Sequence, residues 1–583
     1  MIDFVSVVLR SGGIEETHTW PLLPTGLLAA DDEWVAEHLP GRCRVTLVNA
    51  ATGPGSWTLR LSADTAWTED VTAEIQIGLQ PQRAPTHVLW PRFEGRIERR
   101  RLNKSEGESA EFRGAGQLAS RLTDDARLAL PLAVLETRES LWLAGADPSF
   151  STTIALSETD SRPTLSFSWR WVAVAGVHVD ETRQIFIQLA GGVEAALDRW
   201  FELATPRIPR GPTWLHDIAL QDYDFLSKDG HGWFRDIDAA CEMIAPQDRH
   251  RALFCLHGWY DRVGRYCFDP ATARLDDRWV AFPYMRSPEL LALATAQPVH
   301  SGLPTPAAYA FRNVARYRPV DLSWDDMRAR LRYAKERGFR TCVYAMTGMQ
   351  DAGERGPFVA DGTGLDVETA LWQGPELIGA TYLRNPLHPD VRAHMLAYIR
   401  ALLERVGDLT DALVMDEAYY IGYGVLGPAA CPGYADRAQL SLIGEMTALC
   451  HQVRPDLAFL TADLLGAPQL EGRAFPYSLY ADGIYQDSWC WPQTWDCVRL
   501  PAWRNVAWSC NWAPVTNLAF TRWGVLAHGA PVAISNGCFG DDTGLADMDH
   551  DTARQIADLW RARIAHDRPR GVIIADDRRR VAH

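Results

Sequence analysis

The sequence lacks the marks of a membrane protein or a nucleic-acid-binding protein. No apolar run approaches the roughly 18 residues that cross a bilayer, and the first ten residues lack a basic leader followed by an apolar core. The formal net charge is −16, so a phosphate backbone or an anionic membrane surface would be repelled. We therefore expect neither a nucleic-acid nor a membrane partner, and a cytoplasmic protein unless a leader has been removed.

Sequence motifs for disulfides, zinc and nucleotides are also missing. The 11 cysteines are odd in number and include no Cys-x-x-Cys pair, which argues against a disulfide framework and a structural zinc site. No Gly-x-Gly-x-x-Gly directly follows a predicted strand, and neither a Walker-type glycine loop nor a Gly-x-Ser-x-Gly elbow is present. We expect a reducing compartment, no cofactor and no serine-hydrolase chemistry.

Tryptophan, in contrast, is abundant. The chain has 583 residues, of which 47% are hydrophobic, 23% are charged and 23 are tryptophans, and this composition predicts a soluble protein of two or three domains. The tryptophans are densest after residue 480. Aromatic rings stack on the flat faces of sugars, but they also fill cores. The pattern supports both interpretations equally.

The first part of the chain, residues 1–205, alternates short apolar and polar stretches, for example at 45–49, 57–61 and 152–156. Period-two patterning at this density predicts an antiparallel β-sandwich. A helical pattern follows at 191–203, and prolines at 206, 209 and 212 then indicate a linker over 206–212.

From residue 213 to about 566, apolar strands alternate with amphipathic helices, which predicts parallel βαβ units. Eight strands close a (β/α)8 barrel of the TIM type. The predicted strands are 214–220, 252–257, 341–346, 412–416, 457–463, 478–482, 505–509 and 531–535. Residues 261–320 are long for a loop and predict an insertion over the barrel mouth. Residues 567–583 are a tail or the start of a further β element.

Carboxylates follow the apolar runs of the fourth and sixth predicted strands. Asp416 follows its run directly, and Asp482 and Asp487 stand at and just beyond the end of the sixth strand. Catalytic groups of such barrels lie at the carboxyl ends of the strands, and glycosidic cleavage usually takes two carboxyl groups. Asp416 with Asp482 or Asp487 supplies this pair, although each acid alone could equally be a helix cap or an ion-pair member.

Polar and aromatic residues accompany the remaining strands. Together they provide the hydrogen-bonding groups and flat faces that a polyhydroxylated substrate needs. The candidate substrate-binding residues are Asp217, His257, Trp259, Tyr260, Asp261, Tyr344, Glu417, Tyr419, Asp463, Trp489, Asn511 and Trp512. His257 and Asp261 could instead bind a metal, but no His-Glu-x-x-His or comparable ligand set accompanies them.

With these residues in this order, the chain resembles the retaining α-glycosidases that include the α-galactosidases, in which a β-sandwich precedes the barrel. The resemblance implies a nucleophile at Asp416 and an acid/base at Asp482 or Asp487. Val414 and Met415 replace the lysine and the aromatic residue that precede the nucleophile in α-galactosidases. Asp463 stands where some members have a glutamate acid. The resemblance therefore implies no preference for galactose.

The sequence predicts a glycoside hydrolase, or a transglycosylase of the same chemistry, that acts on an α-glycoside or an oligosaccharide and retains the anomer. Three alternatives stay open: an inverting enzyme with the same carboxylates, a catalytically silent carbohydrate-binding protein, and a metal-dependent barrel hydrolase. The sugar, the linkage and the oligomeric state stay open as well, and a homo-oligomer is compatible with the sequence.

Overall fold

A computed structural model of the chain describes residues 2–23, 28, 33–50, 55–65, 69–92, 96–102, 107–112, 127–159, 162–171, 180–204, 211–225, 232–261, 265–281, 320–347, 349–351, 381–416, 435–463, 480–487, 506–510, 518–536, 544–565 and 574–576. The strands before residue 205 are β1 (Ile2–Ser11), β2 (Ile14–Pro21), β3 (Glu33–Ala36), β4 (Cys43–Asn49), β5 (Ser56–Ala63), β6 (Val71–Leu79), β7 (His87–Pro91), β8 (Ile97–Arg101), β9 (Glu108–Phe112), β10 (Arg127–Leu128), β11 (Leu132–Glu136), β12 (Leu141–Ala146), β13 (Thr152–Thr159), β14 (Arg162–Trp171) and β15 (Asp180–Ala190).

The later strands are β16 (Leu220–Phe225), β17 (Ala252–His257), β18 (Phe268–Asp269), β19 (Arg274–Leu275), β20 (Arg278–Ala281), β21 (Val320–Ser323), β22 (Arg340–Thr347), β23 (Met349–Asp351), β24 (Thr381–Leu383), β25 (Ala412–Asp416), β26 (Ala458–Asp463), β27 (Gly483–Asp487), β28 (Val506–Cys510), β29 (Val532–Asn536) and β30 (Ile574–Asp576). The α-helices are α1 (Val193–Ala204), α2 (Gly232–Met243), α3 (Trp324–Glu336), α4 (Pro389–Val406), α5 (Ala435–Val453), α6 (Leu518–His528) and α7 (His550–Ala565). None of these helices combines the length and the apolar composition needed to cross a bilayer.

Two large sheets share one core in the amino-terminal region. One has the strand order β10-β9-β13-β14-β6-β1-β2 and the other the order β3-β4-β5-β15-β12-β11-β7-β8-β30. Val7 and Ile75 of the first sheet and Leu59 of the second are fully buried in that core. Strand pairs are antiparallel except β9 with β10 and β8 with β30. This arrangement is the antiparallel β-sandwich that the sequence pattern predicts.

Helix α1 packs on the second sheet of the sandwich. The indole N–H of Trp200 donates to the backbone oxygen of Ala146 at 2.9 Å. A Cβ atom at Gly145 would lie 2.7 Å from Cδ1 of Trp200, so the close approach of the helix requires a glycine in β12. The helical pattern predicted at 191–203 is confirmed.

The third large sheet has the order β28-β27-β26-β25-β22-β17-β16-β29, and its neighbours pair in parallel. In a flat sheet, seven spacings of about 4.8 Å would place the edge strands β28 and β29 roughly 34 Å apart. Instead, Cα atoms of these two strands approach within 8 Å. The sheet therefore curls back on itself, although no ladder hydrogen bond joins β28 to β29 within the described residues.

Helix ends follow local sequence chemistry. Ser323 caps α3 and forms a capping box with Asp326, and Gly338, at φ +89°, ends the turn after it. Pro389 begins α4 and Gly407 follows its last residue. Each of these helix ends is thus set by residues within about one turn of it.

The first and sixth predicted strands are misplaced. Residues 213–217 form a 3-10 helix after Pro212, where the indole N–H of Trp214 donates to the backbone oxygen of Asp456, and β16 begins only at Leu220. The sixth strand, predicted at 478–482, begins at Gly483. Both errors move the carboxylates predicted at these strand ends.

Side chains of the barrel region reach the sandwich. The hydroxyls of Ser149 and Tyr480 lie 3.1 Å apart, and Arg437 of α5 donates to Glu181 of β15 at 2.9 Å. The carboxyl-terminal strand β30 pairs with β8 of the sandwich, so residues 574–576 extend the amino-terminal sheet. Of the predicted insertion 261–320, the described part contains β18 to β20, and residues 282–319 lie outside the described ranges.

Candidate active site

Two strands of the parallel sheet end in the aspartates Asp416 and Asp487. The ladder joins Val414 of β25 to Leu460 of β26, and Leu460 to Gly483 of β27. Asp416 lies two residues beyond this row and Asp487 four residues beyond it. Because strand residues alternate between faces, positions 416 and 487 belong to the same face at the same end of the sheet.

The ring contacts of β17 identify the two faces of the sheet. Phe254 meets Trp233 of helix α2 with ring centroids 6.0 Å apart, so its face is the one that the helices cover. His257 stands three residues later, on the opposite, inner face. Its ring lies 3.9 Å from that of Tyr344 in β22, between centroids. The inner face therefore carries a histidine and a tyrosine next to each other.

The inner face also carries the end of β25. Tyr344 pairs with Val414, and Asp416 follows two residues later, so these positions share the inner face. Asp416 is only 6% exposed. Position 463, three residues beyond Leu460, falls on the helix-facing side of β26. Asp463 thus ends its strand as predicted but does not share the face of Asp416.

Three buried rings form a cluster beside the carboxyl end of β17. Tyr260 stacks on Tyr344 at 5.6 Å and meets His257 edge-on at 5.7 Å. All three side chains are 1% exposed. Burial lowers the pKa of His257 well below 6.5, so its imidazole is neutral at physiological pH. These three predicted substrate-binding residues come together, and all of them are buried.

Trp259 and Asp261, both predicted to bind substrate, make contacts with other residues of the chain. Trp259 is fully buried, and its indole N–H donates to the backbone oxygen of Tyr344 at 2.8 Å. Asp261 accepts the backbone N–H of Cys267 at 2.7 Å and a hydrogen bond from Arg265. Trp259 was predicted to bind substrate, and the structure places its side chain in the core. Asp261 holds a turn.

Asp482 and Asp217 lie at the wrong end of the sheet. Asp482 precedes β27. Its Oδ2 lies 2.9 Å from Nε2 of His451 in α5 and accepts the backbone N–H of Phe459 at 2.8 Å. Burial raises the pKa of its carboxyl, while His451 opposes the shift. Asp217 is an exposed residue before β16. Both stand at the amino ends of strands, whereas the sequence predicted them at the carboxyl ends.

Several predicted site residues lie outside the described residues: Glu417, Tyr419, Trp489, Asn511 and Trp512. The stretch Gly422-Tyr-Gly424-Val-Leu-Gly427 has the spacing of a dinucleotide motif. It begins six positions after Asp416 and is followed by Pro428, and it lies outside the described residues.

Thr347 is a neighbour of the site that the sequence did not reveal. It pairs with Asp416 in the ladder between β22 and β25, because the register shifts between Tyr344 and Met346. No sequence signal marks this shift, since the strand contains neither glycine nor proline.

A metal centre was an alternative for His257 and Asp261. Among the residues that the structure describes, no three histidine, cysteine or acidic side chains come close enough to hold a metal ion. His257 instead contacts aromatic rings, and Asp261 accepts from Cys267 and Arg265.

No protein-family model and no curated protein matches the chain. It is similar to the solved structure of GH36 α-galactosidase AgaB from Geobacillus stearothermophilus, with 14% identity and a TM-score of 0.49 over 96% of this chain and 75% of that one. A substituted AgaA from the same organism with raffinose has 12% identity and a TM-score of 0.48, covering 96% and 76%. The Lactobacillus brevis α-galactosidase has 9% identity and a TM-score of 0.46, covering 96% and 72%.

These neighbours belong to the group that the sequence resembles.

Proposed function

We propose that the chain is a glycoside hydrolase that cleaves an α-glycoside or an oligosaccharide with two carboxylates. Asp416 is the nucleophile and Asp487 the acid/base. The observation that carries this proposal is the ladder row that puts positions 416 and 487 on one face, at the carboxyl ends of strands that are separated by a single strand.

The curled sheet supports the pairing of these two positions. We take it as a closed (β/α)8 barrel, in which a shear of eight over eight strands slips the register by one residue per strand. Position 485 stands directly across from Asp416 along the ladder, and Asp487 lies two residues farther. Over two strands the slip amounts to two residues, so Asp416 and Asp487 come to the same height along the barrel axis.

The spacing of the strands also fits the chemistry. Two strand spacings separate the backbones by about 10 Å, and side chains that converge on the axis narrow this gap. Retaining enzymes hold their carboxyl groups about 5–5.5 Å apart, and inverting enzymes about 6.5–9.5 Å apart. We propose retention, in agreement with the resemblance.

In the first step, the Asp416 carboxylate attacks the anomeric carbon while Asp487 protonates the departing glycosidic oxygen. The aglycone leaves as an alcohol, and an ester joins the sugar to Asp416. In the second step, Asp487 removes a proton from water, which attacks the same carbon and releases Asp416. Neither step needs a cofactor.

Turnover of aryl α- and β-glycosides by four proteins tests the proposal: wild type, Asp416→Asn, Asp487→Asn and Asp463→Asn. The last is the matched control, because position 463 ends the intervening strand on the opposite face. We expect an α-glycoside to be cleaved and both active-site variants to lose at least about a thousandfold in kcat, while Asp463→Asn stays close to wild type.

Proton NMR of the anomer released first identifies the stereochemistry. Release of the α-anomer from an α-glycoside supports retention. Release of the β-anomer would show that the enzyme inverts the anomeric configuration. Sugar binding without turnover in any variant would make the chain a silent binder. Loss of wild-type turnover with a chelator would point to a metal-dependent reaction.

A further inference from the structure

A β-bulge interrupts strand β22 beside the proposed nucleophile. Tyr344 pairs with Val414, but the next pair along the ladder joins Met346 to Met415. Ala345 is therefore an extra residue in β22 that has no counterpart in β25.

The bulge changes the residue that stands opposite Asp416. Without the extra residue, Met346 would pair with Asp416, whereas the structure pairs Thr347 with it. Bulges are rare between parallel strands, and they are frequent next to active sites, where they change which residue reaches the site. The position of Asp416 relative to β22 thus depends on this bulge.

Two buried side chains hold the bulge in place. The indole N–H of Trp259 donates to the backbone oxygen of Tyr344 at 2.8 Å, and the hydroxyl of Tyr398 donates to the backbone oxygen of Ala345 at 2.5 Å. Trp259 is fully buried and Tyr398 is 1% exposed. Consecutive carbonyls at the bulge therefore accept from side chains of two separate segments, the loop after β17 and helix α4.

Tyr398 is itself fixed by rings from one turn. Its ring centroid lies 5.6 Å from that of Tyr266 and 5.7 Å from that of Phe268. Tyr266 and Cys267 have φ of +51° and +58°, a conformation that costs energy for residues other than glycine. Asp261 holds this turn through the backbone N–H of Cys267. The hydroxyl of Tyr398 thus has little freedom to leave its acceptor.

We propose that Tyr398 is a positioning residue for the reaction of Asp416. Its hydroxyl holds the Ala345 carbonyl, which keeps the bulge and the pairing of Thr347 with Asp416. The inference rests on the proposed function. Without this bond the bulge can relax, and Asp416 moves relative to the anomeric carbon. A displacement of about 1 Å in an active site can cost about a hundredfold in rate.

Tyr398→Phe tests the inference, because it removes only the hydroxyl. Tyr333→Phe is the matched control, since the phenol of Tyr333 donates to Asp238 at 2.7 Å on the outside of the barrel. For Tyr398→Phe we expect kcat to fall about tenfold or more with little change in KM, and the acid limb of the pH profile of kcat to shift. Its crystal structure should show a changed pairing at Asp416. The control should match wild type in each measurement.

The outcomes separate this inference from the proposed function. Wild-type kcat and pH profile in Tyr398→Phe, with Asp416→Asn inactive, would overturn the inference and leave the proposed function standing. An inactive wild-type protein, or a fully active Asp416→Asn, would overturn both. If Tyr398→Phe does not fold, Trp259→Phe removes the adjacent hydrogen bond to the Tyr344 carbonyl. Its kcat, KM and pH profile then show whether the bulge positions Asp416.

Discussion

The Nε2 atom of His451 lies 2.9 Å from Oδ2 of Asp482, and the backbone N–H of Phe459 donates to the same oxygen. These contacts join the last turn of α5 to the amino-terminal ends of β26 and β27. Asp482 is fully buried there. Its carboxylate therefore connects a helix to two strands at the end of the sheet opposite the proposed active site.

Asp482→Asn should lower stability without abolishing turnover. An amide is a weaker acceptor than the carboxyl group beside Phe459 and His451, so we expect a loss of about 1–3 kcal/mol in the free energy of unfolding and a kcat within about threefold of wild type. Thermal unfolding and glycoside turnover measure the two effects. If Asp482→Asn kept its thermal stability but were as inactive as Asp416→Asn, Asp482 would return to the catalytic pair.

Azide should distinguish the roles of Asp416 and Asp487. In Asp487→Ala, azide can attack the glycosyl ester on Asp416 without a general base, so an activated α-glycoside should give an α-glycosyl azide. In Asp416→Ala, azide takes the place of the missing nucleophile in one displacement and should give the β-glycosyl azide. NMR of the products reads both results. The opposite pair of configurations would exchange the two assignments.

The ion pair between Glu181 of the sandwich and Arg437 of α5 should be sensitive to acid. Burial alone would raise the pKa of Glu181, but Arg183 and Arg437 outweigh it and hold the pKa below its usual value. Burial lowers the pKa of Arg183 to about 10, so Arg183 stays charged at neutral pH. This stabilisation is present above the unfolded pKa of about 4.5 and is lost as the pH falls through the lower folded pKa.

Glu181→Gln should remove this dependence. We expect the variant to be about 3 kcal/mol less stable at pH 7, with the difference from wild type shrinking below about pH 4.5. Thermal unfolding of both proteins between pH 3 and 7 checks this expectation. If the difference in stability between the two proteins stayed constant down to pH 3, the charge of Glu181 would not stabilise the folded protein.

Gly145→Ala should loosen helix α1. The added Cβ would lie 2.7 Å from Trp200, and the surrounding side chains would have to move. We expect a loss of about 1–3 kcal/mol in the free energy of unfolding. Gly191→Ala is the control, because a Cβ there meets nothing within 4 Å. Equal melting temperatures for the two variants would mean that α1 does not need the close approach.

Several features were predictable because they depend on neighbours in sequence. The capping box of Ser323 and Asp326 and the first-turn position of Pro389 are local chemistry, and the structure contains both. Asp416 ends β25 as predicted, because a short run of buried apolar residues leaves few choices of register. The alternating pattern of the first 205 residues likewise predicts two sheets with one core.

The strand before Asp487 was harder to place. Residues 478–482 and 483–487 both combine apolar and acidic residues, so the pattern does not say which of them forms the ladder. The contacts of Asp482 with His451 and Phe459 decide this, and they join residues 23 to 31 positions apart.

The sequence by itself determined the alternation of strands and helices, the helix caps and the aspartate that ends β25, because periodicity and capping act over a few residues. Only the tertiary structure decided which of these acids share a face and an end of the sheet, that Trp259 is buried, and that a bulge at Ala345 pairs Thr347 with Asp416. Those outcomes depend on register and burial between segments distant in the chain, and no local pattern encodes them.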